Sequence, residues 1–168
     1  MRRYIGLLAQ LLVLVHLSCG IKGQDFDQMV DGIISKSIPL IQTAELAEEM
    51  KRKDDLIILD AREKDEYHIS HIQRSIWVGY DDFDPSALEL DPEKDIVVYC
   101  SVGYRSEKVA EQLRDEGYKN VRNLYGGIFR WVNEGRSVVD NGNKGTQKVH
   151  PYNEDWGRWL TKGVKSYE

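Results

Sequence analysis

Leu56-Ile57-Ile58-Leu59 and Ile96-Val97-Val98-Tyr99 are unbroken apolar runs, and each ends at a residue able to do chemistry: Asp60 after the first, Cys100 after the second. A run without alternation has no face to give to water, so both segments must be covered on two sides, as the strands of a parallel sheet are. Ser75 to Val78 and Val121 to Leu124 read as further short strands. Ile38-Pro39-Leu40-Ile41 reads as an edge strand, because Pro39 has no N–H to give to a ladder. Helical patterns fall between these runs. Thr43 is an N-cap candidate for a helix reaching about Arg52. Val109, Ala110 and Leu113 line one face of a helix between Arg105 and Glu116, closed by Gly117. Gly126-Gly127 opens a helix with Ile128, Trp131 and Val132 inward. Strands alternating with helices imply an α/β domain with a mainly parallel sheet. Ligands bind such sheets outside the carboxyl ends of the strands, where Asp60 and Cys100 lie.

The two ends of the chain differ from this middle. Arg2 and Arg3 precede an apolar run from Ile5 to Leu17 and then Ser18-Cys19-Gly20, the layout of an export signal. The run is too short to span a bilayer comfortably, which takes about 20 apolar residues. Leu17-Ser18-Cys19-Gly20 resembles a bacterial lipobox, with His16 where that motif usually has leucine. The expectation is therefore a signal peptide at 1–18 and lipidation at Cys19, giving a periplasm-facing or surface lipoprotein of a bacterial cell envelope, held at the membrane by its lipid alone. A soluble secreted or periplasmic protein cut near Gly20 is the alternative. Residues 19–36 then form a tether, at 20–24, and a helix from Asp25 to Ser35 with Phe26, Met29, Val30, Ile33 and Ile34 on one stripe. Residues 37–138 form the main domain. Residues 139–168 form an extension carrying Tyr152, Trp156 and Trp159, expected to pack on the domain, with a lid over the active loop as the alternative.

At 168 residues a single domain, expected to be monomeric, is the natural reading. The net charge of −5 and the lack of any basic stripe argue against a nucleic-acid partner, which demands a positive footprint. Only two cysteines are present. With Cys19 acylated, Cys100 has no internal disulfide partner, and a leftover cysteine in an exported protein suggests a reactive thiol. His68 and His150 have no spacing partners that suggest a metal site.

Cys100-Ser101-Val102-Gly103-Tyr104-Arg105-Ser106 follows a buried strand and opens a helix. A helix N-terminus offers unpaired N–H groups and the positive end of the dipole. A loop curled above it turns further N–H groups inward as an anion cradle. Gly103 permits the backbone conformation such a loop needs, and Arg105 adds a permanent positive charge. These surroundings favour the thiolate of Cys100 at neutral pH.

The run from Tyr99 to Ser106 resembles the active-site loop of rhodanese-like sulfurtransferases, Cys-x-x-Gly-x-Arg-Ser. Leu59-Asp60-Ala61-Arg62-Glu63 with Glu66-Tyr67 and His71-Ile72 resembles the first signature of that family, and Leu124-Tyr125-Gly126-Gly127-Ile128 with Trp131 resembles its closing motif. The resemblance covers roughly residues 38–136. It implies an α/β/α sandwich around a five-stranded sheet, and a ping-pong reaction without metal or cofactor. In that reaction Cys100 takes sulfur from a small sulfane donor as a persulfide and passes it to a thiol, a cyanide-like acceptor or a protein partner. Arg105 would stabilise the anion, and Ser101, Val102, Gly103, Tyr104 and Ser106 would form the binding loop. Asp60, Arg62, Glu66 and His71 are expected as structural support, Arg62 pairing with Asp60 or Glu66. In related phosphatases the loop is one residue longer; here Arg105 is the fifth residue after Cys100, which favours sulfur over phosphate. Two departures stand out. Many relatives have Gly-His-Ile-Pro-Gly-Ala where this chain has Ser70-His71-Ile72-Gln73-Arg74-Ser75, and Ser101 and Val102 are neutral where some thiosulfate-using members carry cations. A non-catalytic binding module and a thiol-redox or sulfide-sensing protein are the competing readings.

Overall fold

The structure is a computed structural model that describes residues 18–168, with side chains from Phe26 onward. Residues 1–17 of the expected signal peptide, and the side chain of Cys19, lie outside the described residues.

The elements run in the order α1 (Ser18–Ile33), β1 (Leu40–Ile41), α2 (Thr43–Arg52), β2 (Ile57–Asp60), α3 (Lys64–Ile69), β3 (Ile76–Trp77), β4 (Asp95–Tyr99), α4 (Tyr104–Asp115), β5 (Asn120–Leu124) and α5 (Gly127–Asn133). After them come β6 (Val138–Val139), β7 (Gly145–Thr146), β8 (Lys148–Val149), α6 (Glu154–Gly157) and β9 (Val164–Lys165). The first five strands form one sheet in the order β1-β5-β4-β2-β3, and every pairing in it is parallel. The α/β class and the five-stranded parallel sheet follow the expectation.

The unbroken apolar runs occupy the centre of the sheet. Ile96, Val97, Val98 and Tyr99 of β4 are all fully buried. Side chains alternate across a strand, so Ile96, Val98 and Cys100 join Val109, Ala110 and Leu113 of α4 on one face. Val97 and Tyr99 join Ile41, Leu46, Ile128 and Phe129 on the other. Each such side chain contributes about 1.5–3 kcal/mol by leaving water, which holds the carboxyl end of β4 in one place. α4 ends as expected at Gly117, whose φ is +108°. Gly117 N–H donates to the Arg114 carbonyl and Tyr118 N–H to that of Leu113, a Schellman closure.

Several elements differ from the expectation. Residues 20–24 are helical rather than a tether; once the stripe of Phe26, Val30 and Ile34 docks in the core, extending the helix costs little more than chain entropy. The same helix stops at Ile33 rather than Ser35, because the N–H groups of Ser35 and Ser37 turn to the carboxylate of Glu107, at 2.7 and 3.2 Å. Gln42, not Thr43, is the N-cap of α2; the buried Thr43 hydroxyl instead donates to Glu134 at the end of α5. The helix α3 escapes a periodicity reading at six residues. Arg74, in the turn that departs from the family pattern, sits at φ +70°. Its guanidinium donates to the carbonyls of Met50, Lys53 and Asp54, which satisfies the end of α2 and offsets the backbone strain. Residues 140–144 form the turn of a hairpin in which β7 is antiparallel to β6.

Both chain ends pack onto the sandwich. Val149 and Leu160 are buried with the core, and Trp156 and Trp159 lie against it. Phe26 of α1 meets Trp159 edge-to-face at 6.0 Å between ring centroids, so the N-terminal helix and the tail touch each other.

Candidate active site

Cys100 stands at the carboxyl end of β4, immediately before the loop that enters α4. Its Sγ accepts the N–H of Gly103 at 3.1 Å. Gly103 is the N-cap of α4 at φ +117°, a left-handed conformation that turns its amide back toward the sulfur. The Ser106 hydroxyl donates to Asn123 Oδ1 at 2.7 Å and lies 3.4 Å from Sγ. Asn123 Nδ2 donates to the Gly103 carbonyl at 2.9 Å, so one buried amide on β5 holds both sides of the loop.

The loop is also held from below. Ile128 N–H donates to the carbonyl of Cys100 at 2.9 Å, and Phe129 N–H to that of Ser101 at 3.1 Å. The unpaired amides at the start of α5 thus take the loop carbonyls away from the sulfur. The approach is so close that a Cβ on Gly127 would lie 2.2 Å from the Cys100 carbonyl oxygen.

Arg105 folds back rather than pointing at the sulfur alone. Its Nη1 donates to Glu66 Oε2 at 2.7 Å and its Nη2 to Glu66 Oε1 at 3.0 Å, and Nη2 also reaches Ser101 Oγ at 3.0 Å. The Ser101 hydroxyl donates to Glu66 Oε1 at 2.9 Å. Burial alone would raise the Glu66 carboxyl, but the hydrogen bonds and charge of Arg105 outweigh it and hold the group below the usual carboxylate range. The Glu66 carboxylate also accepts the Glu63 N–H at 2.9 Å, anchoring the start of α3. Glu66 is therefore the partner of Arg105, not of Arg62. Arg62 pairs with Asp60 through Nε–Oδ1 at 3.0 Å and Nη2–Oδ2 at 2.7 Å, both side chains fully buried, and its Nη2 also donates to the Ser70 carbonyl at 2.7 Å. His71 is buried, stacked on Tyr67 at 3.9 Å, and exchanges both backbone hydrogen bonds with Val139, which gives it an architectural place. Among the described residues no cluster of histidine, cysteine, aspartate and glutamate is placed to hold a metal ion.

Cys100 is only 1% exposed, and what it faces is a pocket of about 400 Å³. Val102, Tyr104 and Arg105 of the loop line it, together with Ile33 of α1 and Tyr152 and Trp156 of the tail. The tail packs on the core and contributes Tyr152 and Trp156 to the pocket wall.

The family model of the rhodanese-like domain matches residues 42–134. This chain belongs to the rhodanese-like family. Over 83 residues it is 34% identical to the thiosulfate sulfurtransferase GlpE of Coxiella burnetii, a match covering 49% of this chain and 78% of that one. Over 90 residues it is 37% identical to a tRNA uridine(34) hydroxylase of Hamiltonella defensa, covering 50% of this chain and 25% of that protein. A thiosulfate sulfurtransferase structure from Pseudomonas aeruginosa superposes with a TM-score of 0.58 at 22% identity, over 83% of this chain and 26% of that one, which speaks to the fold. The rhodanese-like match contains Cys100 and its whole supporting loop, whereas Ile33, Tyr152 and Trp156 lie outside it.

The sequence singles out the loop and the Asp60–Arg62 pair, and offers Tyr152 and Trp156 as lid candidates, but does not point to Asn123, Glu107 or the place of Ile33 in the pocket. An uncharged polar Asn123 next to Leu124, at the carboxyl end of a strand, was the available signal for the first. Glu107 is fully buried in the first turn of α4, a position that reads as surface until Ser35 and Ser37 are seen to need it.

Proposed function

We propose that this rhodanese-like protein is a sulfurtransferase that carries sulfane sulfur as a persulfide on Cys100. The observation that carries the reading is the Gly103 N–H aimed at Cys100 Sγ at the start of α4, on the floor of a pocket able to admit a small donor. A thiolate there is the nucleophile. It attacks the sulfane sulfur of the donor, the donor's bond to that sulfur breaks, and the electron pair leaves with the remainder of the donor. The outer sulfur is then attached to an Sγ held by the fixed Gly103 N–H, a donor that needs no reorganisation. An acceptor thiolate or cyanide attacks the outer sulfur in turn and releases the Cys100 thiolate, so one transfer becomes two easier steps. Ser101, Val102, Tyr104 and Ser106 shape the loop. Arg105 acts mainly by bracing that loop through Glu66, with its charge contributing to the field at the sulfur.

The test is transfer by the intact protein from thiosulfate, polysulfide or glutathione persulfide to cyanide or a thiol, with Cys100→Ser beside it. The expected result is a gain of one sulfur atom in intact mass on the parent protein, and a folded but inactive variant. Failure of every donor to add sulfur, together with a thiol inert to iodoacetamide at neutral pH, would overturn the reading.

We also propose export to a bacterial cell envelope with Cys19 as an acylated N-terminus, on the strength of the Arg2-Arg3 start, the apolar run and the Leu17-Ser18-Cys19-Gly20 box. Mass spectrometry of the mature N-terminus tests it, and an unmodified peptide beginning after Cys19 refutes it.

A further inference from the structure

The charge and the walls of the Cys100 pocket select among sulfur donors. We infer that the donor is a small organic persulfide, R–S–S–H, with an uncharged, apolar R group, and not an inorganic oxyanion such as thiosulfate. This rests on the sulfur-transfer reading above.

Among the described residues Arg105 is the one cationic side chain lining the pocket, and its charge is already matched. Both of its terminal nitrogens bond the Glu66 carboxylate, Glu63 lies 3.4 Å from Nη1, and the Tyr152 ring covers its face at 5.0 Å. A dianion entering this pocket would lose its hydration without gaining an unpaired cation, a costly exchange. Besides Cys100 and Ser101, whose hydroxyl is engaged by Glu66, the remaining lining residues are Ile33, Val102, Tyr104, Tyr152 and Trp156. A volume of about 400 Å³ accommodates a short alkyl or aryl thiol, within the range of small-molecule sites.

Tyr152 is a second observation pointing the same way. It holds φ +68°, a conformation disfavoured for a bulky side chain, while the residue is 47% exposed and lines the pocket. Strain kept at a position whose side chain buries so little for the core is characteristic of functional sites. Here it places an aromatic ring over Arg105 and against the path to Cys100.

The chemistry balances without an oxidant or reductant. Cys100–S⁻ attacks the outer sulfur of R–S–S–H, the donor S–S bond breaks as the Cys100 S–S bond forms, and the electron pair leaves as R–S⁻. The proton stays on the transferred sulfur. The leaving group carries one charge and an apolar body that stays against the aromatic wall, whereas thiosulfate would release sulfite with two.

The experiment measures persulfide formation on Cys100 of the full chain by rapid quench and intact mass, using freshly generated methyl, ethyl, propyl and benzyl persulfides alongside thiosulfate. The expected second-order rate constants rise about fourfold per methylene from methyl to propyl, and thiosulfate falls at least about a hundredfold below benzyl persulfide. Tyr152→Ala is expected to lower the benzyl-to-methyl ratio about fivefold, and Tyr152→Lys to narrow the gap between benzyl persulfide and thiosulfate. A flat alkyl series, or thiosulfate matching benzyl persulfide on the parent protein, overturns the selectivity while leaving sulfur transfer standing. If no donor adds sulfur, the sulfur-transfer reading itself falls and this inference with it.

Discussion

Gly127→Ala is the most informative single change, because it presses on the active loop without touching the reactive sulfur. Gly127 sits at φ +55°, and a Cβ there would lie 2.2 Å from the Cys100 carbonyl oxygen and 2.7 Å from the Ser101 carbonyl carbon and oxygen. These are backbone atoms and cannot swing aside. Two costs follow. The left-handed backbone disfavours any Cβ by about 1–2 kcal/mol. Making room also stretches the hydrogen bonds from Ile128 and Phe129 to the loop carbonyls, each worth about 1 kcal/mol. The combined loss is about 3–4 kcal/mol, which for a chain of this size lowers the melting temperature by about 10 °C. Because the loop itself must shift, persulfide formation on Cys100 should fall about a hundredfold, the usual cost of misplacing a reacting group by about 1 Å.

Gly117→Ala supplies the control. Gly117 also has a positive φ, +108°, but a Cβ there meets nothing within 4 Å. It should show the strain cost of about 1–2 kcal/mol and no loss of rate. Urea melts and quenched persulfide assays of the two variants separate strain from collision. If Gly127→Ala melts with Gly117→Ala and forms persulfide at the parent rate, then α5 does not position the loop, and the account of its support given above is wrong.

Asn123→Ala should cost about 2 kcal/mol in urea melts and slow persulfide formation, since it removes the hydrogen bonds to Ser106 and to the Gly103 carbonyl together; an unchanged rate would show that the loop keeps its shape without them. Glu66→Gln leaves the mostly buried Arg105 charge with only the half-exposed Glu63 as counter-ion and should cost about 3 kcal/mol. In the folded fraction it should also raise the thiosulfate rate relative to an alkyl persulfide; a loss of stability with no change in that ratio would separate bracing from electrostatics. Acid stability depends on carboxylates held low in the folded state. The hydrogen bonds and charge of Arg122 hold Glu49 at about 2, and Glu66 is lowered as well. A folded value below the unfolded one gives stability that is complete above the unfolded carboxylate range and lost as pH falls through the folded value. The denaturation midpoint should therefore drop steadily from about pH 5 toward pH 2, and Glu49→Gln should flatten part of that slope.

The sheet was legible because its evidence is local. Unbroken apolar runs at 56–59 and 96–99 have one good solution, and Asp60 and Cys100 follow from where those runs stop. The loop was legible because Gly103 and Arg105 are residue types that few other turns require. What escaped reading depends on distance in the chain. Glu66 and Arg105 are separated by 39 positions and Glu107 and Ser35 by 72, and nothing in either segment names its partner. The helix α3 is too short for a period to declare itself, so Glu66 was seen as a charge near Arg62 rather than as the anchor of α3 that receives Arg105. Arg74 shows the converse: a left-handed position filled by a long cation looks wrong in sequence, and becomes intelligible only beside the three carbonyls it satisfies.

The pocket follows the same logic one level higher. The groups proposed to make Cys100 a nucleophile are carried by β4, α4, β5 and α5, all inside the residues that match the family. The surface a donor meets is completed by Ile33 from α1 and by Tyr152 and Trp156 from the tail, which lie outside it. The Gly103 N–H and the Ser106 hydroxyl beside Sγ have little means of distinguishing one donor from another, since such groups answer to charge and not to the body of the molecule carrying it. Selectivity has to come from side chains that touch the rest of the donor, and in this protein those arrive from both ends of the chain. Their mutual contact through Phe26 and Trp159 ties the two walls to each other. A change that loosens either end should therefore alter which donor is used before it alters whether sulfur is transferred at all.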